Sequence, residues 1–240
     1  MLGGEVVAAT RGAHLPDPPP APSDAPAGPA ATSALPAGTA ASPMARVVWL
    51  GDSTAAGVGA SGPTTTLPEQ VARLLGQPIR LTVLARSGAR VADVLHHQVP
   101  RLAALAPDAV FISVGANDAI HLTWRAHFRR DYAAVLKALP ASVHEVVLLG
   151  VPDMGAPPRL AQPLRALTGW RGRALDADVR HLAIRRHALY VDIAGTAGPP
   201  FRRDPHRYFA ADHYHPNDAG YTIWAGATAA VVQATPTTRP

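Results

Sequence analysis

Short apolar runs alternate with longer stretches of helical periodicity along most of this chain. The run Val47-Val48-Trp49-Leu50 leads straight into Gly51-Asp52-Ser53-Thr54. A continuous apolar run bounded by turn residues predicts a strand buried on both faces of a parallel sheet. Ile79 to Ala85 alternates and reads as a second strand, and Asp108 to Val114, Glu145 to Val151 and Ala188 to Asp192 read as three more. Between them, Leu67, Val71, Leu74 and Leu75 form one helical stripe, with Pro68 suited to its first turn. Val91, Val94, Leu95, Val99, Leu102 and Leu105 predict a second helix, and Phe128, Tyr132, Val135, Leu136 and Leu139 a third. Leu175, Val179 and Leu182 mark a fourth, and Tyr221, Trp224, Ala225, Thr228 and Val232 the last. Pro152 to Gly169 reads as a long proline-bearing loop that leaves the fourth strand and walls a cleft, and Gly195 to Tyr208 as a basic loop.

Strands alternating with helices predict an α/β fold, a parallel sheet with helices on both faces. Ligands of such sheets bind at the carboxyl ends of the strands. No internal repeat is visible. No G-x-G-x-x-G follows a strand directly and no G-x-x-x-x-G-K-[ST] occurs, so a flavodoxin-like binder of phosphates or nucleotides lacks its signature. Upstream of the first strand the pattern stops. The stretch from Pro16 to Pro43 holds nine of the 25 prolines and has no apolar periodicity. It buries too little surface to offset its ordering entropy, so residues 1–44 are expected to be a disordered leader or linker. The domain is expected over 45–233, with a loose tail over 234–240.

Composition narrows the chemistry. The chain of 240 residues has no cysteine, which excludes disulfides, thiolate metal sites and a Cys nucleophile. Its net charge of +5 raises the question of nucleic acid. The arginines are scattered, aromatics make up 5%, and no basic run exceeds two residues, so a solvated basic surface is the expectation. No stretch reaches the roughly 18 apolar residues of a membrane span. Met1 to Thr10 lacks the basic and apolar regions of a signal peptide. A Pro/Ala-rich leader without cysteines suits an exported or membrane-tethered bacterial protein slightly better than a cytoplasmic one, and a monomer is the expected state.

The strand ends carry the candidate chemistry. Ser53 follows the first, Gly88 the second and Asn117 the third, while Asp212 and His215 stand just before the last helix. A serine hydroxyl needs a base, and an imidazole titrating near neutral pH suits that task. The imidazole needs a carboxylate on its other nitrogen, and an Asp three residues earlier reaches it across a turn. A tetrahedral oxyanion needs convergent donors, which a glycine N–H and an asparagine amide supply.

Four blocks together resemble the SGNH (GDSL-type) hydrolases. They are Gly51-Asp52-Ser53-Thr54, Gly88 within Arg86-Ser87-Gly88-Ala89, Gly115-Ala116-Asn117-Asp118, and Asp212-His213-Tyr214-His215-Pro216. The resemblance covers about Arg46 to Val232, and Thr54 stands where the family name has leucine. It implies a flavodoxin-like three-layer α/β/α sandwich with a five-stranded parallel sheet. It also implies ester hydrolysis without metal or other cofactor on a small acyl ester, with an oxyanion hole of the Ser53 and Gly88 amides and the Asn117 side chain. Carbohydrate O-deacetylase, thioesterase and lysophospholipase use the same machinery, and a binding module without turnover keeps the same fold.

Each residue also has a plainer reading. Ser53 alone would serve as a helix cap, Asp52 as a brace for the turn, and Asp118 as a cap. Asp212 would serve as a turn residue and Asp153 as a turn former. His213 competes with His215 as base. His96, His97, His121, His127 and His144 lack carboxylates at ligand spacing and read as surface residues. Arg202, Arg203 and Arg207 read as a solvated basic loop, with attraction of an anionic substrate as the alternative.

Overall fold

The computed structural model describes residues 44–235. The expected leader, apart from Met44, and most of the expected tail lie outside the described residues. Among them, five strands form one all-parallel sheet: β1 (Ala45–Gly51), β2 (Ile79–Val83), β3 (Ala109–Ser113), β4 (Glu145–Leu149) and β5 (Leu189–Val191). Their order across the sheet is β2-β1-β3-β4-β5. Register pairs Trp49 with Phe111 and Gly51 with Ser113, and Val147 with Leu189. The fold is the flavodoxin-like α/β/α sandwich, and the strand that leads to Ser53 sits inside the sheet.

Period-two alternation sorts the buried strand residues into two cores. Val48, Leu50, Val110, Ile112 and Leu148 face one layer. That layer comprises the stretch 91–105 (α3), α5 (Arg125–Lys137) and α6 (Leu164–Arg186), which present Val94, Leu102, Phe128, Tyr132, Leu175 and Val179. Val47, Trp49, Phe111, Val147 and Leu149 face the other. There α2 (Leu67–Leu75), α7 (Ile193–Arg203) and α9 (Asp218–Ala234) present Val71, Phe201, Tyr221 and Trp224. Trp49 and Phe111 stack with ring centroids 4.8 Å apart, a pairing worth ~1 kcal/mol beyond its area burial.

Four features differ from expectation. The strands stop earlier than their apolar runs: β2 ends at Val83 and β4 at Leu149. The expected helix over 91–105 is not uniform. It runs as Val91–Asp93, a π-type turn Val94–Gln98, a 3₁₀ turn Val99–Arg101 and Leu102–Leu105. Pro100 has no N–H to donate and breaks the ladder there. The expected basic loop 195–208 is helical, as α7 and then α8 (Pro205–Tyr208). Ile193, Ala197 and Phe201 recur every four residues and are buried, and Asp192 accepts from the Gly195 N–H at the helix start. Burial of that face outweighs Pro199 and Pro200. The long loop after β4 is also shorter than expected, because α6 begins at Leu164.

Candidate active site

β1 ends at Gly51, whose φ of +147° and approach to the Ser113 carbonyl leave no room for a side chain; a Cβ would lie 1.9 Å from that oxygen. Asp52 turns the chain into the one-turn helix α1 (Ser53–Ala56). Its carboxylate accepts from the Thr54 N–H at 3.0 Å and from the Thr54 hydroxyl at 2.8 Å, so Asp52 braces the turn. Thr54 in turn bonds the Ser113 hydroxyl at 2.9 Å. Asp52 is 1% exposed, and burial pushes its carboxyl up to about 6 against the downward pull of its Thr54 bonds. This rigid corner presents Ser53 as the first residue of a helix, with its N–H at the positive end of the backbone dipoles.

The segment before α9 brings the other two groups to that corner. His215 Nε2 lies 2.9 Å from Ser53 Oγ, and His215 Nδ1 lies 2.5 Å from Asp212 Oδ2. Asp212 Oδ1 accepts from the backbone N–H groups of Tyr214 and His215, both at 3.0 Å. Burial pulls the Asp212 carboxyl upward, but the bonds and charge of His215 outweigh it and hold the group below the usual carboxylate range. Ser53, Asp212 and His215 are all buried. His213 is exposed in the left-handed region at φ +57°, so of the two competing histidines it is His215 that touches Ser53.

The sheet order β2-β1-β3 sets Gly88, Ser53 and Asn117 at three neighbouring strand ends, with Ser53 in the middle. Gly88 adopts φ +78°, and a Cβ there would meet nothing within 4 Å, so the turn conformation and not crowding calls for glycine. Asn117 lies in α4 (Ala116–Ile120), and its Nδ2 donates to the Ala89 carbonyl at 3.1 Å, which ties it to the Gly88 turn. Asp118 does cap a helix, but the neighbouring one. Its carboxylate accepts from the Val91 N–H at 3.0 Å, and burial pushes it up to about 6.

Beside Ser53 opens a pocket of roughly 500 Å³, part of it open to solvent. Its wall is mostly apolar: Met154, Ala156, Ile193, Phe201, Phe209 and Trp224. The segment after β4 supplies part of that wall, as expected, and α7 supplies the rest. Asp153 forms a turn by accepting from Gly155 N–H at 3.1 Å, and it also pairs with Arg202. Arg202 is therefore held against the pocket rim by a carboxylate.

Two features escape sequence reasoning. Gln98, 3% exposed, bonds the backbone of Gly51, and its only signal is a polar residue inside an apolar stripe. The run Gly57-Val58-Gly59-Ala60-Ser61-Gly62 has G-x-G-x-x-G spacing but follows α1 and not a strand. Gly59 instead lets the Ser53 loop approach the His215 segment, where a Cβ would lie 2.3 Å from the Pro216 carbonyl oxygen.

The model of the GDSL-like lipase/acylhydrolase family matches residues 49–223, and the chain belongs to that family. It is 32% identical over 182 residues to a GDSL-like esterase of Mycobacterium tuberculosis, covering 73% of this chain and 57% of that protein. The chain thus spans little more than half the length of that curated relative. The crystal structure of the lipase/acylhydrolase from Enterococcus faecalis superposes with a TM-score of 0.64 at 20% identity, covering 82% of this chain and all of that one (100%). An alpha/beta hydrolase enzyme from the metagenome of Lake Arreo, Spain, superposes with a TM-score of 0.58 at 25% identity, covering 79% of this chain and 95% of that one.

Proposed function

We propose that this chain is a serine ester hydrolase acting on carboxylic esters with an apolar acyl group. The observation that carries the reading is the unbroken chain of contacts from Ser53 Oγ to His215 Nε2 at 2.9 Å and from His215 Nδ1 to Asp212 at 2.5 Å. Ser53 Oγ attacks the acyl carbonyl while its proton passes to Nε2. Asp212, ionised and bonded by two backbone amides, keeps the other proton on Nδ1 and stabilises the imidazolium. The carbonyl oxygen gains charge against the Ser53 and Gly88 N–H groups and the Asn117 amide. Nε2 then protonates the leaving alcohol, and an acyl-Ser53 ester remains. Water, deprotonated by the same nitrogen, releases the acid.

The apolar pocket next to Ser53 favours acyl chains longer than acetyl over acetylated sugars. Hydrolysis of p-nitrophenyl acetate and p-nitrophenyl octanoate, with Ser53→Ala and His215→Ala beside the parent, tests both parts. The expected result is turnover that both variants lose by about a thousandfold or more, with octanoate preferred. Turnover that survives Ser53→Ala in pure protein overturns the nucleophile. An inert but folded parent whose Ser53 resists a fluorophosphonate makes it a binding module.

A further inference from the structure

Of the four tryptophans, Trp49 and Trp224 are buried in the core. Trp124 and Trp170 are 77% and 59% exposed, and Leu122 is 39% exposed. Large apolar side chains held in water mark an interaction surface when they cluster. The two segments that carry them are tied together by Arg171, the residue after Trp170, whose guanidinium donates to the carbonyl of Thr123, the residue before Trp124. The patch joins α6 to the segment between α4 and α5.

That patch adjoins the reacting edge of the sheet. Trp124 lies seven residues beyond Asn117, just past the helix α4 that carries it. Trp170 lies on the first turns of α6, next to the loop that walls the pocket. Thr168 donates to the Met154 carbonyl at 3.1 Å. A Cβ on Gly169 would lie 3.1 Å from Gly155, and one on Gly172 would lie 3.0 Å from Met154. One short length of helix therefore backs the pocket wall and displays an indole outward.

The charge around the indoles is net positive. Residues 121–130 and 165–173 hold six arginines and no acidic residue. Asp178 takes Arg125 at 2.5 Å and Arg129 at 3.6 Å, and Asp131 takes Arg130 at 2.8 Å. Arg165 and Arg171 donate to backbone carbonyls, which leaves their charge uncompensated. Two carboxylates thus face six guanidinium groups.

We propose that this face docks on an anionic phospholipid surface, with Trp124, Trp170 and Leu122 at headgroup level and the arginines on the lipid phosphates. Indoles favour the membrane–water interface, where one end of the ring stays wet, and basic side chains add attraction to anionic lipid. A neutral glycan would use the indoles and leave the charge idle, and a soluble polyanion would do the reverse. An anionic lipid interface uses both.

The test is co-sedimentation of the full chain with vesicles of phosphatidylglycerol mixed with phosphatidylcholine, against phosphatidylcholine alone, and with dextran sulfate as a soluble competitor. The expected result is binding to the anionic vesicles only, with a blue shift of tryptophan emission. Trp124→Ala/Trp170→Ala lowers partition about tenfold or more, from lost apolar burial. Arg173→Gln lowers it about fivefold, and added salt weakens it further. Both indoles are exposed, so the Trp variants keep the parent's melting temperature. Absence of binding to anionic vesicles overturns the proposal, as does equal binding to both vesicle types. Binding unchanged in the double Trp variant and abolished by dextran sulfate assigns the face to a polyanion instead. Partition is read without turnover, so its failure is distinct from failure of the esterase reading.

Discussion

Gln98 and Gly51 hydrogen-bond to each other twice. The Gly51 N–H donates to Gln98 Oε1 at 2.8 Å, and Gln98 Nε2 donates to the Gly51 carbonyl at 2.8 Å. β2 pairs with β1 only as far as Trp49 and Val83, so at the last residue of β1 a side-chain amide replaces a neighbouring strand. The Gly51 carbonyl has a second donor in the Arg86 N–H at 3.1 Å, whereas Gln98 is the acceptor found for its N–H. Ser53 stands two residues on. The amide therefore fixes the strand end from which the Ser53 turn departs.

Replacing Gln98 with leucine fills the space but leaves the Gly51 N–H unpaired in the interior. The expected loss of stability is about 1–3 kcal/mol, read as a lower urea midpoint with unchanged slope. Because the unpaired group adjoins the Ser53 turn, kcat falls while KM changes little. Loss of stability with kcat intact would show that the pair supports the sheet alone.

Asp212→Asn separates geometry from chemistry. The asparagine carbonyl keeps both backbone bonds from Tyr214 and His215, so the loop holds its shape. Its NH₂ then faces His215 Nδ1, which must become an acceptor and move the ring proton to Nε2. A protonated Nε2 cannot take the proton of Ser53. Turnover is expected to fall by about 10⁴, the scale of a wrong-tautomer triad, with melting temperature near the parent's. Combining it with His215→Ala adds nothing further, because the residues act as a unit.

The meeting of Ser53, Asp212 and His215 is legible in the sequence because Ser53 stands in a polar turn directly after an apolar run, and Asp212 and His215 stand just before the last amphipathic helix. Asp-x-x-His before a terminal amphipathic helix leaves few geometries. The interiors of β1, β3 and β4 are legible because residues buried on both faces are apolar almost without interruption, whereas β2 shows as an alternation of buried and exposed positions. Their ends are less so: Leu84 N–H still bonds the Trp49 carbonyl at 2.9 Å past the last ladder pair, so apolar character outlasts the strand. Helix α7 reads as loop because Gly195, Gly198, Pro199 and Pro200 all argue locally against a helix. Its helicity comes from burying Ile193, Ala197 and Phe201, a tertiary effect absent from local propensity. The Gln98 contact, 47 positions along the chain from its partner, leaves a single local trace, a polar residue inside an apolar stripe.

Two buried carboxyls predict an unusual pH response of stability. Burial raises Asp52 and Asp118 from the ordinary 3.8 to about 6 in the folded state. Between those values the folded chain binds more protons than the unfolded one, so stability falls as pH rises through that window and levels off above it. A rise of this size corresponds to about 3 kcal/mol for each group. Asp212 acts oppositely: its lowered carboxyl contributes stability that is present above the ordinary 3.8 and lost as pH falls below it. Melting temperatures at pH 4, 5, 6 and 7 are expected to decline to pH 6 and then flatten. Asp52→Asn, which keeps an acceptor for Thr54, makes that decline shallower. An identical slope in the variant would assign the response elsewhere.

The pocket gives the last prediction, on acyl selectivity. Ala156 lines it from the loop after β4, half-buried at the edge of the second core, so a larger side chain there takes up pocket space. Ala156→Leu is expected to shorten the accessible acyl slot while leaving Ser53, His215 and Asp212 untouched. Acetyl ester turnover then stays within about twofold, since an acetyl group does not reach the wall, and the octanoate-to-acetate ratio of kcat/KM falls about tenfold or more. The loss lies in KM and kcat together, because a chain denied its pocket is also held poorly in the attacking pose. Equal loss for both esters would mean that Ala156 borders the ester carbonyl itself. An unchanged ratio would place the acyl chain on the opposite side of Ser53, toward the Gly88 turn, and would make the apolar pocket the seat of the leaving alcohol.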